Sequence, residues 1–197
     1  MTIKIFGSKI TISFLFTALI ALLLLFDKSG IFVLALIAII IHETGHLLAM
    51  KLLKQTPLEI RMMPAGVIIT KNKILTSFKD EFIIASGGII LNLFFTIIFV
   101  IFYKYQISQR FFLSLAIINI IIAIFNMLPI YGLDGYDMLR ILLCRKNEKA
   151  HIMIIISSVT ICLILILGII LFYKYYNPTL MITALYLIIL TILNLKR

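Results

Sequence analysis

Residues 31–50, IFVLALIAIIIHETGHLLAM, form a long apolar stretch that carries two histidines and a glutamate near its carboxyl end. About 20 apolar residues are enough for a helix to cross the hydrocarbon core of a bilayer. Ionisable side chains are costly at that depth, and where they occur they mark a functional site. This stretch therefore predicts both a membrane fold and the place where the chain carries out its chemistry.

The composition of the whole chain favours lipid as its solvent. Of the 197 residues, 63% are hydrophobic and only 13% are charged, and the mean hydropathy is +1.20. A soluble domain of this length could not bury so much apolar surface. The net charge of +10 comes from Lys and Arg scattered between apolar runs, without the aromatic-interleaved basic patch of a nucleic-acid-binding protein. Nucleic acid is therefore excluded as a partner.

Six apolar runs are predicted to be transmembrane helices, since isolated strands cannot satisfy their backbone in lipid. The predicted spans are 10–26, 31–50, 81–103, 111–128, 151–173 and 179–195. No cleavage site follows the first run, which is read as a retained anchor. The loop 56–75 contains β-favouring residues around Pro64 and Gly66 and predicts a short hairpin. The predicted fold is an all-α polytopic membrane protein, with residues 1–197 forming a single domain.

The distribution of Lys and Arg predicts the orientation, because cytoplasmic loops carry an excess of both. Fourteen of the 18 lie on the side of the amino terminus. Only Lys28, Lys104, Arg110 and Lys174 lie on the other side. Both termini and the loops 51–80 and 129–150 are therefore predicted to be cytoplasmic, in a multi-pass protein of the bacterial cytoplasmic membrane.

The second predicted span contains the sequence His42-Glu43-Thr44-Gly45-His46, which has the form H-E-x-x-H. On a helix, residues four apart share a face, so both imidazoles can reach one metal ion. Glu43 would stand beside them as the base that takes a proton from water. This constellation predicts a zinc-dependent hydrolase with His42 and His46 as ligands and Glu43 as the catalytic residue.

A catalytic zinc site normally has three protein ligands, so a third must come from elsewhere in the chain. The downstream candidates are Glu59, Asp80, Glu81, Asp134, Asp137, Glu148 and His151. Asp134 is favoured because Pro129, Gly132 and Gly135 break the helical pattern around it and could turn its carboxylate toward the metal. Asp137 is the second choice.

Together these residues resemble the site-2 protease family of intramembrane metalloproteases. That family pairs H-E-x-x-H with a segment of the type N-x-x-P-x-x-x-x-D-G, matched here by Asn126, Pro129, Asp134 and Gly135. The resemblance implies one Zn²⁺ per chain, with the aspartate as its third ligand. It also implies cleavage of a peptide bond in or near the transmembrane segment of a membrane-tethered protein. Membrane-protein inhibitors or activators are then expected as further partners.

Within the family, the chain looks most similar to the branch of the stage IV sporulation proteins, which release a membrane-tethered pro-sigma factor. That branch implies a location in the membrane that surrounds the forespore. The resemblance also implies substrate-binding roles for Asn92, Asn126, Pro129 and Gly66. Two features of the sequence depart from the family: the segment from Gly88 to Asn92 lacks the family's proline, and Gly135 is followed by Tyr136 where the family has a second glycine. The nucleotide-sensing CBS domain usual in that branch is also not expected in this chain.

Three other functions explain the sequence less completely. A metal-binding transporter would use intramembrane His and Asp along an ion path, but it leaves Glu43 unexplained. A membrane zincin with a glutamate as third ligand would need Glu59, Glu81 or Glu148, all near span boundaries or in loops. A catalytically silent scaffold is disfavoured, because every residue that the chemistry needs is present.

Overall fold

The computed structural model describes residues 2–5, 8–55, 57–63, 66–71, 77–143 and 150–195. Four strands and seven helices follow one another within these residues. They are β1 (Thr2–Ile5), β2 (Ser8–Ile12), α1 (Phe14–Phe26), α2 (Ile31–Leu52), β3 (Pro57–Met63), β4 (Gly66–Lys71), α3 (Phe78–Lys104), α4 (Gln109–Asn126), α5 (Asp134–Leu143), α6 (Ala150–Tyr175) and α7 (Thr179–Leu195).

Four of the described helices, α2, α3, α4 and α6, are long and apolar enough to cross a membrane. The chain is therefore a multi-pass membrane protein, and the predicted helical membrane fold is confirmed. Helices α1 and α7 are apolar but shorter, so the count of six spans stays a prediction. The predicted start of the first span at residue 10 is wrong. Residues 8–12 form β2, and α1 begins only after Ser13, whose hydroxyl accepts a hydrogen bond from the Phe16 amide at 3.1 Å.

The predicted hairpin in the loop 56–75 is confirmed as β3 and β4, but it belongs to a larger sheet. The described strands have the order β1-β2-β3-β4. Strands β1 and β2 form a second antiparallel hairpin, and β2 pairs with β3 in parallel. Parallel neighbours need a crossover connection, which here contains α1 and α2. The amino-terminal hairpin was not predicted, because residues 10–12 had been assigned to the first span.

The chain divides into two compact units, residues 1–123 and 124–197, with the boundary inside α4. The prediction of one domain over residues 1–197 remains a prediction. In the first unit, α2 and α3 run antiparallel and approach closely at Gly45 and Gly87. A Cβ on Gly87 would lie 2.6 Å from the Gly45 carbonyl oxygen, and one on Gly45 would overlap the Gly87 backbone. Small residues at this point therefore let the two backbones meet, as in many membrane helix pairs.

The second unit contains a helix that was not expected. Residues 129–150 were predicted to be a loop, but residues 134–143 within them form α5. Two aspartates lie in its first turn and Arg140 in its last, which complements the helix dipole at both ends. The segment before it turns at Gly132, where φ is +90°, a value that favours glycine. The breakers Pro129 and Gly132 thus separate two helices instead of marking one long loop.

Candidate metal centre

His42 and His46 lie one helical turn apart on α2, and both are buried. Their rings are nearly perpendicular, at 83°, and their Nε2 atoms are 3.2 Å apart. Two nitrogens bonded to one tetrahedral zinc at about 2.0–2.1 Å would be about 3.3 Å apart. The separation of the imidazole nitrogens therefore fits two ligands of a single zinc ion.

A backbone carbonyl on α3 fixes the protonation of His46. The Nδ1 atom of His46 lies 2.8 Å from the Ile84 carbonyl oxygen. Because that oxygen can only accept, Nδ1 carries the proton and donates it, which leaves the lone pair on Nε2. Histidines that bind metals commonly use their second nitrogen in this way. The hydrogen bond thus prepares His46 as a ligand through Nε2, the atom that faces His42.

Gly88 on α3 supplies the open space next to the two imidazoles. A Cβ at this position would lie 2.6 Å from His46 Nε2 and 2.7 Å from His42 Nε2. Both distances are far below ordinary van der Waals contact, so any side chain there would displace the rings. The three nearest atoms all belong to these imidazoles, which means that Gly88 is needed for the histidine pair itself. The sequence reading assigned no role to Gly88 beyond its place in a family segment.

Glu43 follows His42 on α2 and is half-buried. The residue after it, Thr44, is exposed, and its hydroxyl donates to the Ile40 carbonyl oxygen at 2.6 Å. The Thr44 hydroxyl is therefore hydrogen-bonded within α2. Glu43 is the carboxylate in this part of α2, at the position that the H-E-x-x-H pattern assigns to the base.

The two aspartates of α5 have different surroundings in the second unit. Asp137 is exposed, and its carboxylate lies 3.5 Å from the guanidinium of Arg140. Asp134 is half-buried at the first position of the helix. Gly135 after it is buried, and a Cβ there would overlap the carbonyl group of Met127, so the glycine allows α5 to start against the end of α4. These contacts favour Asp134 over Asp137 as a ligand held in a defined position.

The other candidate ligands are engaged elsewhere or lie at surfaces. Glu59 accepts hydrogen bonds within the sheet, from Arg61 at 2.7 Å and from the Thr11 hydroxyl at 3.1 Å. The Arg61 guanidinium holds the pKa of Glu59 below its usual range. His151 is exposed at the start of α6. Asp80 and Glu81 lie in the first turn of α3, where the helix dipole favours a negative charge, and Glu148 lies outside the described residues.

The predicted substrate-binding residues occupy different places in the fold. Asn92 is fully buried in α3, and its amide nitrogen donates to the Ala38 carbonyl oxygen on α2 at 3.3 Å. Asn126 is the last residue of α4, Pro129 follows in the connection to α5, and Gly66 opens β4. Their roles toward a substrate stay predictions.

Asn119 is a buried polar residue for which the sequence made no prediction. Asn119 on α4 is fully buried, and its amide nitrogen donates to the Leu115 carbonyl oxygen at 2.8 Å. Its amide oxygen accepts no hydrogen bond within the described part of the chain. An asparagine inside an apolar span was the available signal, and it was passed over because it matched no pattern.

Comparisons with known proteins gave a family match and a structural match. Residues 103–167 match the model of Peptidase family M50. The fold is similar to the site-2 protease from Methanocaldococcus jannaschii, with a TM-score of 0.66, 23% sequence identity and coverage of 95% of this chain and 92% of that chain. At this identity the similarity concerns the fold. None of the curated proteins compared with the chain matches it, and neither match contains anything specific to sporulation.

The contact at Gly88 predicts that Gly88→Ala lowers the zinc content of the purified protein and its unfolding temperature. Because two of the three atoms nearest to the new methyl group belong to His42, adding His42→Ala should restore part of the lost stability. Contacting residues typically show coupling energies of about 0.5–3 kcal/mol. Thermal unfolding in detergent of the two single variants and the double variant measures this coupling.

A control for this prediction is Ile90→Ala, which changes an exposed residue on α3 two positions further along. It should leave the zinc content unchanged. If the effects of Gly88→Ala and His42→Ala on stability simply add, the methyl group does not meet the imidazole, and the assigned role of Gly88 is wrong.

Proposed function

We propose that this chain is an intramembrane zinc metalloprotease that hydrolyses a peptide bond in or near the transmembrane segment of a membrane-tethered protein. The observation that carries the proposal is the pair of buried imidazoles on α2, with Nε2 atoms 3.2 Å apart. They lie on a helix long and apolar enough to cross a membrane. The match to Peptidase family M50 and the similarity in fold support the same function.

The donor set fits zinc, and we propose one ion per chain. We assign its ligands to His42, His46 and Asp134, which together have two imidazole nitrogens and one carboxylate oxygen to offer. Catalytic zinc sites use three protein ligands of these kinds and leave one position open. Calcium and magnesium prefer oxygen ligands, so the two imidazoles favour zinc over either of them.

The metal ligands and Glu43 have different tasks in the proposed reaction. Zinc, when bound, supplies Lewis-acid polarisation of the scissile carbonyl and acidifies a water molecule. The Glu43 carboxylate accepts one proton from the attacking water molecule while the water oxygen bonds to the carbonyl carbon. Glu43 then donates the proton to the departing amide nitrogen as the carbon–nitrogen bond breaks. The immediate products are a carboxylic acid and an amine, and transfer of the acid's proton to the amine gives a carboxylate and an ammonium. Glu43 ends the cycle deprotonated.

A substrate helix must unwind before such a site can attack it, because its carbonyls are bonded within the helix. We propose that the substrate is held as an extended strand against β4, which ends the order of the four described strands. Main-chain hydrogen bonding of this kind is a common way to bind extended peptides. Asn92, Asn126, Pro129 and Gly66 are proposed to contribute contacts to the substrate.

The cellular setting is proposed from the sequence alone. The orientation with cytoplasmic termini puts the carboxyl end of α2, and with it the histidine pair, toward the cytoplasm. A pro-sigma factor tethered to the membrane during sporulation, with location at the forespore membrane, is the proposed substrate and setting. Membrane proteins that block or permit access to the site are the proposed regulators. A transporter remains less favoured, since it gives Glu43 no task.

Glu43→Gln is expected to abolish cleavage while the protein still binds zinc. The amide keeps the shape of the side chain but cannot accept the proton, and general-base catalysis alone contributes about 10²–10⁴-fold. The assay is co-expression with tagged single-span membrane proteins, followed by detection of a shortened product, and zinc is measured on the purified variant. Thr44→Ala, at the exposed neighbouring position, is the matched control and should retain cleavage. Normal turnover by Glu43→Gln would refute the mechanism.

Substitutions in α5 separate the two candidate aspartates. Asp134→Asn should lower zinc content and activity together, because a neutral amide oxygen is a poorer zinc ligand than a carboxylate. Asp137→Asn removes an exposed ion pair with Arg140, worth at most about 1 kcal/mol, and should keep both zinc content and activity. Metal analysis of the purified variants distinguishes the outcomes. Loss of zinc in Asp137→Asn alone would transfer the assignment of third ligand to Asp137.

A further inference from the structure

Two described helices end in the same four residues. Phe102-Tyr103-Lys104-Tyr105 lies at the carboxyl end of α3, and Phe172-Tyr173-Lys174-Tyr175 lies at the carboxyl end of α6. We call these the FYKY segments. With Tyr176, they contain five of the eight tyrosines in the chain. The proposed protease chemistry uses none of these residues. Phe102 packs against the Phe112 ring of α4, with 5.0 Å between the ring centroids.

The tyrosines of both FYKY segments are exposed. The exposed fractions are 39% for Tyr103, 74% for Tyr105, 80% for Tyr173 and 62% for Tyr175. Tyrosines that stabilise a protein interior would be buried, so packing does not explain the four residues. Both helices are also long and apolar enough to cross a membrane. Each FYKY segment therefore marks the end of an apolar span.

Tyrosine and lysine at such a position fit the chemistry of a lipid headgroup layer. Tyrosine has an apolar ring and a polar hydroxyl, and it is enriched at membrane–water interfaces. Lysine can lay its apolar stem along the span and place its ammonium among the phosphates. The Lys174 ammonium lies 5.3 Å from the centre of the Tyr175 ring, so cation and ring are already side by side. A lysine in the last turn also complements the helix dipole.

We propose that the two FYKY segments bind the phospholipid headgroup layer and thereby fix the depth of α3 and α6 in the bilayer. For α3 this has a consequence for the histidine pair. Gly88, which contacts both imidazoles, lies 15 residues before Tyr103, or about 22 Å along the helix. In a hydrocarbon core about 30 Å thick, the anchor holds the imidazoles roughly 8 Å from the opposite surface. The anchoring itself does not depend on the proposed protease activity.

The absence of tryptophan from the sequence allows a direct depth measurement. Tyr103→Trp and Tyr173→Trp each create a protein with a single tryptophan. The matched controls are Phe94→Trp and Leu163→Trp, at exposed positions in the middle of α3 and α6. Each purified variant is placed in phosphatidylcholine–phosphatidylglycerol vesicles that carry bromine either near the carbonyl end or near the methyl end of the acyl chains.

The proposal predicts that tryptophan at the two FYKY positions is quenched mainly by the shallow bromines, and tryptophan at the controls mainly by the deep ones. Equal depth profiles for the FYKY positions and the controls would overturn it. Absence of quenching at both FYKY positions would overturn it too, since the rings would then be in water or covered by protein. Tyrosine to tryptophan is a conservative change at an exposed site, so the folded protein should be retained.

A second arm tests whether the α3 anchor sets the depth. Ile90→Trp reports the depth of the helix near the imidazoles. Replacing Tyr103, Lys104 and Tyr105 by leucine lengthens the apolar span of α3. The carboxyl end of α3 should then move into the bilayer, and the tryptophan at position 90 should move toward the opposite surface. Shallow bromines should therefore quench this tryptophan more strongly. The control Phe94→Leu, at an exposed position in the middle of α3, should leave the quenching ratio unchanged. An unchanged ratio in the triple variant would show that the segment does not control depth. Cleavage activity is not read in either arm, so failure of the proposed function would not affect the result.

Discussion

The close approach of α2 and α3 at Gly45 and Gly87 is the contact on which the candidate site depends. Because the two backbones touch there, the Ile84 carbonyl reaches His46, and Gly88 meets both imidazoles. Asn92 ties the same pair of helices together one turn further on, through the Ala38 carbonyl. In lipid, apolar side chains gain little by leaving the solvent, so close packing and buried hydrogen bonds must hold helices together. The same contacts therefore build the membrane fold and prepare the metal ligands.

The sequence was sufficient for the parts of the structure that depend on local pattern. Apolar length located α2, α3, α4 and α6 to within a few residues, and the spacing of His42 and His46 located the imidazole pair. The β-favouring residues of the loop 56–75 located β3 and β4. These features follow from helical periodicity, span length and turn chemistry, all of which can be read from neighbouring residues.

The parts that the sequence missed depend on contacts between distant segments. The hairpin of β1 and β2 is stabilised partly by pairing with β3, about 50 residues away, so residues 10–12 looked like the start of a span. The helix α5 begins after two helix breakers, which separate it from α4, whereas the sequence pattern predicted one long loop there. The role of Gly88 depends on which helix lies opposite, since a glycine in an apolar span has many explanations. Helix crossings of this kind require the tertiary structure.

The proposed function requires that His42 and His46 bind one zinc ion through their Nε2 atoms. X-ray absorption at the zinc edge, on the purified protein in detergent, measures this most directly. We expect a first shell of nitrogen and oxygen only, at about 2.0–2.1 Å, with outer-shell scattering from two imidazole rings that falls to one ring in His42→Ala. A first shell that contains sulfur, or one without imidazole scattering, would contradict it.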